Sequence, residues 1–254
     1  MLLFFSGPTS NETLSNAYSN IHIHRFVDVA AEPRRMLLPI QGYENMPLVS
    51  LEKAVISLAS LIPDVKQMVW IAKQNCAHPK DGLTPDESAA IMLYTIEWEP
   101  SEKSFHFLLN KALRSAEREE LKPWFLYLRL LITAHQKLPS TGSVIYRGVK
   151  LDLTEQYRRG DSVIWWGFST CTSSIEVLQN QRFLGKNGTR TLFSIECNSG
   201  KNIRSHSFYA EEDEVLLLPA RQFEVLGCLD QGNGLRIIQL RETKPEFSLI
   251  KLPY

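Results

Sequence analysis

The chain has 254 residues, 44% hydrophobic and 22% charged, enough for one large domain or two small ones around a packed core. Lys plus Arg and Asp plus Glu both number 28, and the zero net charge argues against a general nucleic-acid binder, which carries a basic excess. No apolar run is long enough to span a bilayer: Trp124 to Thr133 is interrupted by Arg129.

The chain opens on Met1-Leu2-Leu3-Phe4-Phe5, which stops at Ser6-Gly7-Pro8, shorter than a secretory leader requires. Residues 1–49 are turn-rich, with one alternating stretch, Ile21 to Val27, that reads as a strand. His22 and His24 share a face there, but no third ligand stands nearby, so no metal site is expected. From Ser50 the period becomes helical. Leu51, Ala54, Val55, Leu58, Ala59 and Ile62 form one stripe ended by Pro63, and Val65 to Ala77 continues it. Thr84-Pro85-Asp86-Glu87 is a helix start, with Thr84 as cap, Pro85 in the first position and Glu87 closing a capping box. That helix is expected to run to about Glu97, followed by helices over Ser104–Arg118 and Glu120–Leu138.

After Pro139-Ser140-Thr141-Gly142 the texture is that of strands, over Ser143–Val149, Ser162–Ser169, Arg190–Cys197, Val215–Leu218, Gln222–Cys228 and Leu235–Arg241, with a turn at Asp230 to Gly234. The expected class is therefore α+β: an irregular segment 1–49, a helical lobe 50–138 and a mainly antiparallel β core 139–254. Neither a GxGxxG nor a P-loop motif is present. The four cysteines, Cys76, Cys171, Cys197 and Cys228, are widely spaced and suggest neither zinc nor a disulfide framework. A cytoplasmic, reducing setting is expected, with secretion as the alternative.

Three motifs carry chemistry. Val144-Ile145-Tyr146-Arg147-Gly148-Val149 puts an arginine inside an apolar strand, where its charge needs compensation or a cleft, and a glycine that would let a ligand approach the backbone. Trp165-Trp166-Gly167-Phe168 runs into Ser169-Thr170-Cys171-Thr172-Ser173-Ser174, hydroxyls that can hydrogen-bond a carboxylate and fix its rotamer. Cys171 with His206 as base would make a thiol nucleophile, but no spacing supports the pair. Finally, Glu211-Glu212-Asp213-Glu214 precedes the aliphatic run Val215 to Leu218, stopped by Pro219. In extended backbone Glu212 and Glu214 point to the same face, at the mouth of a buried strand.

Taken in this order, Tyr146-Arg147-Gly148, Gly167-Phe168-Ser169-Thr170 and Glu212-Asp213-Glu214-Val215-Leu216 resemble the arginine–serine–glutamate signature of the mono-ADP-ribosyltransferases, in the branch of the arginine-specific animal enzymes and related clostridial-type toxins. The resemblance covers roughly residues 140–241, and a helical lobe ahead of the β core also fits. It implies an enzyme that uses NAD, or NADP, and a protein acceptor presenting arginine, with no metal. It implies that Arg147 contacts the NAD phosphates, that Glu214 is the catalytic glutamate and that Glu212 is the acid that goes with arginine as acceptor. It further implies a cofactor cleft that includes Tyr146, Gly148, Phe168, Thr172 and Phe208, and a substrate-facing loop over Lys201–Ala210. Threonines, Thr170 and Thr172, occupy both expected serine places, which leaves open whether Ser169 or Thr170 orients Glu214. The rivals are an NAD glycohydrolase, which would need Glu214 but not Glu212, a non-catalytic binder of NAD or ADP-ribose, and a helical interaction protein with an appended β domain.

Overall fold

The computed structural model describes residues 32–142, 144–181 and 183–253, so the expected strand with His22 and His24 lies outside the described residues. Within them the helices come first: α1 (Leu51–Ala54), α2 (Val65–Asn75), α3 (Pro85–Thr95), α4 (Phe105–Arg114) and α5 (Phe125–Lys137). The strands follow: β1 (Val144–Val149), β2 (Ser162–Trp165), β3 (Ser169–Thr172), β4 (Arg190–Glu196), β5 (Lys201–Asn202), β6 (Glu214–Leu217), β7 (Arg221–Gly232) and β8 (Leu235–Thr243). They form one sheet in the order β2-β7-β8-β4-β1-β3-β6-β5. Only the β4–β8 pair is parallel among them. This is the expected α+β architecture, with β1, β3 and β6 side by side.

Local chemistry explains much of the helical part. Thr84 Oγ1 accepts from the Glu87 N–H at 3.3 Å and Glu87 Oε2 accepts from the Thr84 N–H at 2.9 Å, so α3 starts on the capping box read in the sequence. The stripe from Leu51 to Ile62 is buried as expected except at Ala59, but it is not one helix. After α1 the chain tightens to a 3₁₀ turn at Ile56–Leu58, and Ser57 Oγ bonds the Pro123 carbonyl at 2.6 Å. Pro123 likewise delays the expected 120–138 helix: residues Arg118–Trp124 are 3₁₀ and α5 begins only after them.

The β part departs from the sequence reading at two places. The turn of the β7–β8 hairpin is only Asn233-Gly234, both at positive φ (49° and 74°), so the two strands run on to Gly232 and Thr243. More consequentially, the apolar run Ser162–Ser169 is not one strand. It breaks at Trp166-Gly167-Phe168, and β2 and β3 end up far apart in the sheet. Side chains from distant elements capture the backbone there. Glu32 accepts from the Trp166 N–H at 2.6 Å while pairing with Arg114 Nε at 2.7 Å. Asn110, on α4, accepts from the Phe168 N–H at 2.9 Å and donates to the Phe168 carbonyl at 3.1 Å. Gly167 is required by this packing, since a Cβ would lie 2.6 Å from Arg114 Nη2 and 3.1 Å from Asn110 Cγ. Replacing Asn110 by alanine strips both bonds from buried backbone, and the expected loss is about 2–4 kcal/mol of unfolding free energy, read from urea denaturation.

The hydrophobic core does not divide at residue 138. Trp166, Phe168, Leu216 and Leu218 join the helices in one cluster, and a second cluster containing Ile145, Trp165, Cys171, Phe193 and Val215 lies on the other face of the sheet. The helical layer therefore packs directly on β6, the strand that starts with Glu214. One polar contact crosses this interface: His135, on α5 and 1% exposed, bonds the Leu216 carbonyl through Nε2 at 2.9 Å. Burial, reinforced by the charges of Arg221 and Lys201, lowers its pKa to about 4 although the bond to Leu216 opposes the shift. The unfolded chain, with an ordinary histidine near 6.5, then binds more protons between these values. Stability is fully present above pH ~6.5 and falls by roughly 3 kcal/mol as the pH drops toward ~4. His135→Gln is expected to flatten that part of the stability–pH curve, measured by denaturation at a series of pH values.

Candidate active site

Register brings the acids and hydroxyls together. In β3, Thr172 lies opposite Glu214 of β6 and Thr170 opposite Leu216, so Thr170, Thr172 and Glu214 share one face. Tyr146 of β1 is opposite Thr172 and joins the same face. Glu214 is fully buried, and each carboxylate oxygen accepts a hydroxyl: Thr170 Oγ1 at 3.0 Å on Oε1 and Ser207 Oγ at 2.8 Å on Oε2. Thr170 is thus the β3 hydroxyl at Glu214. Ser169 is not, because strand alternation turns it to the opposite face, where its Oγ reaches the Gly167 carbonyl at 3.5 Å. Thr172 serves the backbone instead, donating to the Glu212 carbonyl at 2.9 Å.

The stretch from Glu212 to Glu214 is not extended throughout: only Glu214 belongs to a strand. Glu212 closes a 3₁₀ turn, Ala210–Glu212, and Asp213 adopts a left-handed conformation (φ 45°, ψ 46°) before β6 begins. Asp213 is among the residue types that tolerate this region, and its carboxylate is held by Arg204 at 2.7 Å. The two glutamates are therefore set apart by a turn rather than aligned along a strand. Glu212, 4% exposed, lines a concavity of about 440 Å³ together with Glu176, Val177, Asn180, Phe183 and Glu211. A larger one of about 650 Å³, between residues 32–36 and β2, shares none of these walls.

Several residues expected around a cofactor make contacts within the protein. Arg147 is fully buried, with its guanidinium 5.5 Å from the Trp165 ring, on the face that carries Phe193 and Cys171 and away from Glu214. Gly148 is needed because the protein's own Leu184 occupies the space a ligand was expected to take; a Cβ would lie 2.8 Å from Leu184 Cβ. Phe168 packs in the helical core, its ring 5.5 Å from Tyr94, and Trp165 and Trp166 are likewise interior. Tyr146 packs beside the cluster of Leu178, Phe183, Leu184 and Leu192. Phe208 remains open, 44% exposed and edge-on to Tyr209. Cys171 is no nucleophile: burial pushes its thiol up to about 12, and His206 bonds Ser88 and Asp81 instead. Ser207 escaped the sequence reading, since a lone serine in a loop carries no signal of what it faces.

The class defined by this arrangement is an α+β fold with a buried glutamate, held by hydroxyls, at the start of β6, the strand next to one sheet edge. Comparison supplies the family. The sequence profile described as NAD:arginine ADP-ribosyltransferase matches residues 51–248, and the chain belongs to that family. The rat ecto-ADP-ribosyltransferase 5 is 29% identical over 185 residues, covering 66% of this chain and 56% of the relative. The mouse GPI-linked NAD(P)(+)–arginine ADP-ribosyltransferase 1 is 31% identical over 165 residues, covering 63% and 49%. The chain spans between 18% and 56% of the length of the curated relatives it matches. Among solved structures, the Vis toxin of Vibrio splendidus, an ADP-ribosyltransferase, superposes with a TM-score of 0.52 at 21% identity, over 81% of this chain and 92% of the toxin, which shows the shared fold.

Proposed function

We propose that the chain transfers ADP-ribose from NAD to an arginine side chain of a protein acceptor and releases nicotinamide. The observation that carries this reading is the Glu214 carboxylate, buried and bonded by a hydroxyl at each oxygen, one turn of chain from Glu212 in the wall of an open concavity. An amide (Asn180), an aromatic ring (Phe183) and acids line that concavity, a mixture that suits the rings and hydroxyls of a dinucleotide. NADP is the alternative donor, in keeping with the name of the mouse relative.

Bound NAD supplies the ribose–nicotinamide bond, and breaking it builds positive charge on the sugar. Glu214 opposes that charge from a fixed position, because Thr170 and Ser207 leave its carboxylate no need to reorient. A guanidinium is always protonated and a poor nucleophile. Glu212 pairs with the incoming arginine and accepts the proton it gives up as the new carbon–nitrogen bond forms. Arg147 takes a supporting role: its guanidinium lies 5.5 Å from the Trp165 ring, on the face of the sheet that carries Phe193 and Cys171. All four cysteines are free thiols, three of them buried, which suits a cytoplasmic setting.

The experiment is incubation of the purified chain with NAD labelled in its adenylate part, with and without agmatine. Label on agmatine supports the transferase. Nicotinamide release with no labelled acceptor supports the glycohydrolase, and neither product supports a binding module.

A further inference from the structure

We infer that Ser207 is a positioning residue for Glu214, and that the helical layer sets it through a clamp on the segment between β5 and β6; the inference rests on the transfer reading above. Ser207 is 6% exposed and its Oγ is 2.8 Å from Glu214 Oε2. The Tyr209 N–H donates to the same Oγ at 3.2 Å, so an acceptor site of the hydroxyl is filled and its single proton goes to the carboxylate. The two hydroxyls on Glu214 thus come from different sources. Thr170 is fixed by the sheet, whereas Ser207 sits on a connection that has no ladder of its own.

That connection is held on both sides of Ser207. On one side His206, fully buried, bonds Ser88 Oγ through Nδ1 at 2.9 Å and Asp81 Oδ2 through Nε2 at 3.1 Å. On the other side the Phe208 N–H donates to Thr95 Oγ1 at 2.9 Å. Ser88 and Thr95 are seven residues apart on α3, two turns along one face, so a single rigid helix fixes both neighbours of Ser207. Asp81, His206 and Ser88 have the residue types of a hydrolytic triad, but Ser88 is 1% exposed and no substrate reaches it. The string works as a clamp, and the capping box that starts α3 holds the clamp's own foundation.

The test is steady-state transfer from NAD to agmatine by wild type, Ser207→Ala, Ser207→Thr, Ser88→Ala and the double variant Ser88→Ala/Ser207→Ala, with thermal midpoints for each. Ser207→Ala is expected to lower kcat by about 10- to 100-fold with KM for NAD changed by less than about threefold, and Ser207→Thr, which keeps the hydroxyl, to recover most of it. Ser88→Ala is expected to lower kcat by several-fold, and the double variant to be no slower than Ser207→Ala, because both act along one chain of contacts. A wild-type kcat in Ser207→Ala, or effects that multiply in the double variant, overturns the inference while leaving the transfer reading in place. Should Ser207→Ala fail to fold, Thr95→Val, which removes the acceptor for the Phe208 N–H together with the hydroxyl's own bond to the Met92 carbonyl one turn back, gives the same comparison: a lowered kcat at unchanged KM supports the clamp and an unchanged kcat overturns it. A wild type without turnover overturns both readings together.

Discussion

Glu214→Gln is expected to lower transfer to agmatine and nicotinamide release together, by on the order of 10³-fold in kcat, with KM for NAD little changed. The substitution keeps the size of the side chain, and the surrounding packing is preserved: Thr172 still holds the Glu212 carbonyl and β3–β6 pairing is untouched. What is lost is charge and its orientation. A glutamine accepts from one of the two hydroxyls through its carbonyl, but presents an NH₂ donor to the other, and no negative charge faces the sugar. Both reactions depend on that charge, so both fall. Steady-state kinetics on the two products in one reaction mixture measures the effect, and a variant within tenfold of wild type would remove Glu214 from the chemistry.

Glu212→Gln is expected to separate the two products. Transfer to agmatine falls by about 10²- to 10⁴-fold, the usual range for a lost general base, while nicotinamide release into water persists within about tenfold. The geometry supports this split. Glu212 lies on the far side of the left-handed Asp213 from Glu214, and its turn is held by Thr172 through a backbone carbonyl and by the Arg204–Asp213 pair, so neutralising its side chain leaves the Glu214 bonds intact. Equal loss of both products would mean that Glu212 acts before the bond to nicotinamide breaks, and the role assigned to it would be wrong.

Features set by near neighbours were legible in the sequence. The Thr84–Glu87 capping box needs only four residues, and the acidic mouth before an aliphatic run ended by Pro219 announces a strand wherever it is placed. Features set by distant partners were not. The break at Trp166–Phe168 is made by Glu32 and Asn110, 134 and 58 positions away along the chain, and nothing inside the aromatic run reports them. The side on which Arg147 lies follows from register alone: Tyr146, not Arg147, is opposite Thr172, and an offset of one residue turns a side chain to the other face. Ser169 and Thr170 are distinguished the same way. At Gly148, expected to admit a ligand, the close neighbour is the protein's own Leu184, a partner 36 positions along the chain.

The most direct test of the central claim is the amount of ADP-ribosylated agmatine formed against the amount of nicotinamide released by the wild-type chain at saturating agmatine. A carboxylate held for the sugar and a second one placed for the guanidinium predict equal amounts, with agmatine accelerating nicotinamide release. Nicotinamide released at a rate indifferent to agmatine, with no modified agmatine, would contradict the claim and leave a hydrolase in its place.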